Sequence, residues 1–195
     1  RRPAHPVAQA LLDAFGGPLV APSANRSGHV SPTTPEHVRS DLADKVAYIL
    51  DGGPCARGIE STIVAFTGET PLLLRAGALE TAEIEAVLGH TLARPGDASG
   101  ITAPGQLKSH YAPRATLRLD AATPMSGEGY LGFGDHCPLE GNLSPTGNLT
   151  EAAANLFAML RAFDLRYERI AVAPIPRTGL GEAINDRLAR AAHRD

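Results

Sequence analysis

Two cysteines in 195 residues, Cys55 and Cys137, are too few and too far apart for a disulfide framework or a metal-ligand set. They read as reduced thiols of a cytoplasmic protein. No apolar run approaches the roughly 18 residues of a membrane span. Positive charge is not in excess either. A formal net charge of -3 gives no electrostatic case for direct binding of nucleic acid or of an anionic membrane. Low-complexity tracts and internal repeats are absent. What remains is globular, 43% hydrophobic and 20% charged, and long enough for one large domain or two small ones. The sequence opens without a Met, directly on "RRPAHPVAQALL", and is expected to begin inside a domain.

Periodicity supplies the elements. "PVAQALLDAF" (residues 6–15) puts Val7, Leu11, Leu12 and Phe15 on one helical face, with Pro6 early and Gly16-Gly17 as a stop. "PLVAP" (18–22) and "KVAYILDGGP" (45–54) read as strands, the second with a Gly-Gly turn. Thr33 followed by Glu36 fits a capping box for a helix opening at Pro35. "ESTIVAF" and "PLLLRAG", separated by "TGET", read as a hairpin. "LETAEIEAVLG" reads as a helix with Leu79, Ile84, Val87 and Leu88 on its core face and Gly89 as C-cap. A Pro- and Gly-rich stretch without periodicity follows, the mark of a linker. Beyond it, "ATLRLD", "GYLGFG" and "RIAVAPIP" read as strands, and "LTEAAANLFAMLRAFD" and "LGEAINDRLARAA" as helices. Leu156, Phe157, Leu160 and Phe163 make the first of these helices amphipathic. Alternating strands and helices predict a small parallel or mixed α/β domain.

Four stretches could carry chemistry. The loop "VAPSANRSGHVSPTT" (20–34) combines small hydroxyl residues, Asn25 and Gly28 with a following helix N-terminus, which suits a phosphate or carboxylate. Composition alone still favours a plain connection there. Glu60 and Ser61 in "GIESTIV" either solvate a strand end or turn a hydroxyl into a cleft. Arg75, closing "PLLLR", is either an outward charge or a nucleotide contact. Tyr111 in "HYAP" either anchors the linker to a domain surface or reaches a ligand.

Taken in order, "APSANRSGHVSPTT", "DGGPCARGIESTIV", "PLLLRAG" and "PGQLKSHYAP" resemble the threonylcarbamoyl-AMP synthase family in its long, two-domain form. The resemblance is dense over residues 1–114 and looser over 115–195, where "PRTGLGEAINDRLARAA" is still similar to the family's end. It implies an α/β chain in three parts. These are the C-terminal portion of a YrdC-like twisted α/β catalytic domain (1–92), a linker (93–114) and a small Rossmann-like α/β domain (115–195). The activity implied is synthesis of threonylcarbamoyl-adenylate and pyrophosphate from L-threonine, bicarbonate and ATP. The product would pass to the machinery that modifies adenosine 37 of certain tRNAs.

Carried over by motif, Arg1, Ala21 and Ser61 are expected to contact threonine. Ser23, Asn25, Ser31, Arg75 and Tyr111, or its neighbour His110, are expected to contact ATP. No protein nucleophile and no protein-held metal are implied, since Mg²⁺ would arrive with the triphosphate. The family's N-terminal segment with its Lys-x-Arg element is not in this sequence, so residues 1–195 alone are expected to be inactive. Two rival readings share the fold. One is a YrdC-like RNA-binding module, disfavoured by the charge. The other is a carbamoyl-adenylating maturation enzyme, disfavoured by the lack of zinc-finger Cys pairs. A generic nucleotide-binding domain would rest on "PRTGLGEAIND", which lacks the full G-x-G-x-x-G spacing.

Overall fold

A computed structural model describes residues 3–96, 103–105, 107–138 and 140–193. The first helix, α1, runs Pro6–Phe15 with Pro at its start and Gly16 in the left-handed conformation as its cap. A long loop leads to α2 (Pro35–Leu42) and a 3-10 turn, Ala43–Lys45. Strands β1 (Ile63–Ala65) and β2 (Leu72–Arg75) pair antiparallel as the expected hairpin, with a register shift between Ile63 and Val64. Helix α3 (Thr81–Leu88) opens with a reciprocal Glu80/Glu83 capping box and ends at Gly89, also left-handed.

Three sequence expectations fail here. Residues 18–22 and 45–54 form no strand, and Val20 and Tyr48 are exposed. A strand is stable only when a neighbour takes its N–H and C=O groups, and among the described residues no segment forms a ladder with either stretch. The cap of α2 is Thr34 rather than Thr33: its hydroxyl accepts from the His37 amide at 3.3 Å. Thr33 instead sends its own amide back to His37 Nδ1 at 3.2 Å. The apolar faces of α1 and α3 are also not core. Val7, Leu11 and Phe15, like Leu79 and Val87, are exposed.

The C-terminal half follows its pattern closely. Strands β3 (Thr116–Arg118), β4 (Gly129–Leu131) and β5 (Arg169–Val172) form a parallel sheet in the order β3-β5-β4. Helix α4 (Leu149–Asp164) makes the crossover from β4 to β5, as parallel neighbours require. Asn148 caps it, accepting from the amides of Thr150 and Glu151. Leu156, Phe157 and Leu160 have no exposed surface, and they pack with Leu131, Ile170 and Ile184 of the sheet and of α5 (Leu180–Ala192). Each such side chain contributes about 1.5–3 kcal/mol by burial.

This core does not stop at the sheet. Val30, Ile59 and Tyr111, from the loop, the segment before β1 and the linker, belong to the same cluster. Gly58 makes the approach possible. Its φ is +67°, and a Cβ there would lie 2.2 Å from the Ala153 carbonyl oxygen and 2.5 Å from Ala154 Cα. Gly58→Ala is therefore expected to push residues 58–60 off α4 and to destabilise the protein by roughly 1–3 kcal/mol, read by urea denaturation.

Candidate functional site

Segments separated by more than a hundred residues converge on Glu60. Its carboxylate accepts a hydrogen bond from the Ser31 hydroxyl at 2.8 Å and pairs with Arg187 Nε of α5 at 2.9 Å. Arg187 has no exposed surface. It also donates to Asp186 at 2.8 Å and to the Ala76 carbonyl at 3.0 Å, and its guanidinium lies 5.4 Å from the centre of the Tyr111 ring. Burial alone would raise the Glu60 pKa. The Arg187 charge, with hydrogen bonds from Arg187 and Ser31, outweighs it and holds the carboxyl below its ordinary value.

Arg75 is buried rather than an outward charge. It donates to the Ser61 carbonyl through Nε (3.2 Å) and Nη2 (2.9 Å), and to the Pro104 carbonyl through Nη1 (3.2 Å). The Arg75 side chain thus ties the segment leading into β1 to the segment around Pro104. Gly77 lets the chain leaving β2 pass directly against that leading segment, where a Cβ would meet the Glu60–Thr62 backbone at 2.3–2.4 Å. Thr62 accepts from the Leu79 amide at 3.2 Å, which secures the same crossing.

On the linker, Tyr111 adopts a φ of +59° and is 1% exposed. Its ring stacks on Phe157 at 5.3 Å and meets His110 edge-on at 4.0 Å. It is an anchor between the halves. The His110 amide donates to the Arg190 carbonyl at 3.3 Å, and Ala112 N–H to the Gly28 carbonyl at 2.8 Å, which lays the linker beside the loop. Burial lowers the His110 pKa, and Arg190, Arg187 and Arg75 push the same way against Glu60.

The loop itself is held from behind. Arg161 of α4 donates to the carbonyls of Val30 (2.5 Å) and Ser31 (3.2 Å) and makes a bidentate pair with Asp41 of α2. Asn25 closes a turn by donating to the carbonyls of Arg26 and His29. Ala21 and Ser23 stand exposed ahead of that turn. Arg1 lies outside the described residues.

Three buried side-chain atoms among the described residues have no hydrogen-bond partner: Asn25 Oδ1, Ser61 Oγ and His110 Nδ1. An orphaned buried polar atom costs about 1–3 kcal/mol, so such atoms need a reason. All three belong to residues expected to touch substrate.

Residues 1–77 match the Sua5/YciO/YrdC family described as "Telomere recombination". Residues 79–193 match the family described as "Threonylcarbamoyl-AMP synthase, C-terminal domain". The chain belongs to the threonylcarbamoyl-AMP synthase family. It is 36% identical over 217 residues to threonylcarbamoyl-AMP synthase of Bacillus subtilis, covering 98% of this chain and 62% of that one. With the Pyrococcus abyssi synthase the identity is 35% over 215 residues, covering 98% and 63%. The fold matches P. abyssi Sua5 complexed with L-threonine at a TM-score of 0.84 and 33% identity, over 97% of this chain and 62% of that one. It also matches, at 0.81 and 30% identity over 97% and 61%, a P. abyssi Sua5 in which a His and the adjacent Tyr are replaced by Ala. The chain thus spans about three fifths of the length of these synthases.

Family motifs do not point to Arg187, Arg161 or the pairing of Glu60. A signal for Arg187 exists in the sequence. It falls in the stripe Leu180, Ala183, Ile184, Leu188, Ala191, where a charge on a core face demands a buried partner. Glu60→Gln leaves that guanidinium short of a charge, and a loss of about 3 kcal/mol at neutral pH is expected. Because the folded Glu60 pKa is depressed, this contribution is complete above the ordinary glutamate range and disappears as pH falls through the folded value. Urea titrations of both proteins at pH 7 and at pH 3 should therefore show a gap that narrows in acid.

Proposed function

We propose that this chain supplies the loop, strand and linker contacts of an L-threonylcarbamoyladenylate synthase, which makes threonylcarbamoyl-AMP and pyrophosphate from L-threonine, bicarbonate and ATP. The observation that carries this reading is the coincidence of the three orphaned polar atoms with three residues the family resemblance assigns to substrate. The threonine complex of the related P. abyssi protein supports the choice of amino acid. In this reading Ser61 Oγ, together with Ala21 and Arg1, takes threonine. Asn25, Ser31, Ser23 and Arg75 face the nucleotide. Of the linker pair, His110 keeps an open ring nitrogen for ATP while Tyr111, closed in by Phe157 and Arg187, holds the linker down.

The chemistry asks for positioning. The threonine amine attacks bicarbonate and, with loss of hydroxide as water, becomes a carbamate. One carbamate oxygen then attacks the α-phosphorus of ATP in line, the α–β bridging bond breaks, and pyrophosphate leaves with the electron pair. Fixed hydroxyl, imidazole and guanidinium groups orient these partners in a site partly shielded from water, where their electrostatic effect is largest. Mg²⁺ enters as part of MgATP. The product is a mixed anhydride, reactive enough to serve tRNA modification in the cytoplasm. No helix among the described residues is long and apolar enough to cross a membrane.

The test is pyrophosphate release with threonine, bicarbonate and ATP omitted in turn, run on residues 1–195 and on the full open reading frame containing them. Release that needs all three is the expected result for the full open reading frame, with none from residues 1–195 alone. In the full open reading frame, release indifferent to threonine points to a carbamoyl-adenylating enzyme instead, and a folded but silent protein to a binding module. Within an active protein, Ser61→Ala should raise the threonine KM about tenfold and leave the ATP KM nearly unchanged.

A further inference from the structure

The nucleotide loop has a conflict built into it. Ser31 is expected to meet ATP, yet its hydroxyl proton is already donated to Glu60 Oε1 at 2.8 Å. Phosphate oxygens are acceptors only, so a triphosphate can use the Ser31 hydroxyl only if that proton turns away from Glu60. A partly buried carboxylate that loses its hydrogen bond is costly unless another donor satisfies it. That donor is on the other half of the molecule. Arg187 Nε reaches the second Glu60 oxygen at 2.9 Å and is itself fixed by Asp186, the Ala76 carbonyl and the Tyr111 ring. Asp186 in turn keeps Arg190 at 3.0 Å, so it does not depend on Arg187 alone.

We propose that Arg187, on the C-terminal half, is a positioning residue for nucleotide binding. It neutralises Glu60 so that Ser31 is free to turn its hydroxyl to the triphosphate. This rests on the synthase reading above and gives the C-terminal half a defined part in it. Threonine should feel the pair far less. The Ser61 carbonyl is held separately by Arg75, and the Ala78 amide holds the Glu60 carbonyl at 3.0 Å, so the backbone around Ser61 does not rely on the Glu60 side chain. Without Arg187, Ser31 becomes the remaining side-chain donor to Glu60 among the described residues, and ATP must compete for it.

The experiment measures Kd for MgATP and for L-threonine by titration calorimetry in the full open reading frame, with pyrophosphate release followed in parallel. Arg187→Met is expected to weaken MgATP about tenfold and threonine less than about twofold. Adding Glu60→Gln to it removes the uncompensated carboxylate and should bring MgATP affinity most of the way back, a rescue that a merely structural role would not produce. Arg187→Lys, which keeps the charge without the fork, should fall between. It replaces the Met variant if that fails to fold. Equal loss for both ligands, no rescue by the second substitution, or unchanged MgATP affinity in folded Arg187→Met or Arg187→Lys would overturn the proposal. Wild-type protein that binds MgATP without threonine-dependent release would sink the synthase reading while leaving Arg187 to be judged by its ATP affinity. Wild-type protein that binds no MgATP would sink both.

Discussion

A guanidinium with no exposed surface stays in a protein interior only if acceptors surround it, and the acceptors around Arg187 come from nearly every part of the site. Glu60 precedes the residue expected to meet threonine, Ala76 follows the arginine that closes β2, and Tyr111 sits on the linker. Desolvating this charge without those groups would be prohibitive. With them in place, one side chain on α5 is tied at once to Glu60, to the chain leaving β2 and to the Tyr111 ring. The pair therefore does more for geometry than for net stability, because desolvation consumes much of what the ion pair contributes.

The second anchor works the same way from α4. Arg161 spends its fork on two loop carbonyls and on Asp41, so the loop and α2 are both referred to one rigid helix. Fork geometry matters here, since a lysine could not serve three acceptors at fixed angles. Burial and the Arg161 charge also lower the His37 pKa, against the opposing pull of Asp41 and Glu36. His37 is then a neutral acceptor for the Thr33 amide at physiological pH, and the turn into α2 is stabilised as a unit. Site loops held by helices of a packed core are placed more reproducibly than loops held by one another.

How much of this was legible depended on whether an element carries its own partners. The C-terminal half was, because Leu156, Phe157 and Leu160 announce a buried face and β5 is apolar and buried after its opening Arg169. The β1–β2 hairpin was legible for the same reason, as its two strands satisfy each other. Residues 18–22 and 45–54 have strand composition, but composition cannot supply a neighbour to pair with. The cap of α2 was misread by one residue because adjacent threonines offer equivalent hydroxyls, and only the backbone decides which one faces the His37 amide. At the candidate site, motif order pointed to Ser31, Ser61, Arg75 and His110. It left Glu60 as a strand-end charge because its partner lies 127 positions away.

The contrast between the halves explains why the distant one matters to the candidate site. α1, α2 and α3 bury no residue fully, and Val7, Leu11, Phe15 and Val87 turn apolar surface outward. Such elements hold little order by burial, since the driving force scales with apolar area removed from water. Order at Ser31, Ser61 and His110 must then be imported. It arrives through Arg161, Arg187, the close approach of Gly58 to α4, and the Tyr111–Phe157 stack, all of which end on α4 or α5. A loosening of those two helices would reach Ser31, Ser61 and His110 without altering one of them. In this arrangement the C-terminal half is part of the candidate site's geometry even though it supplies none of these three side chains.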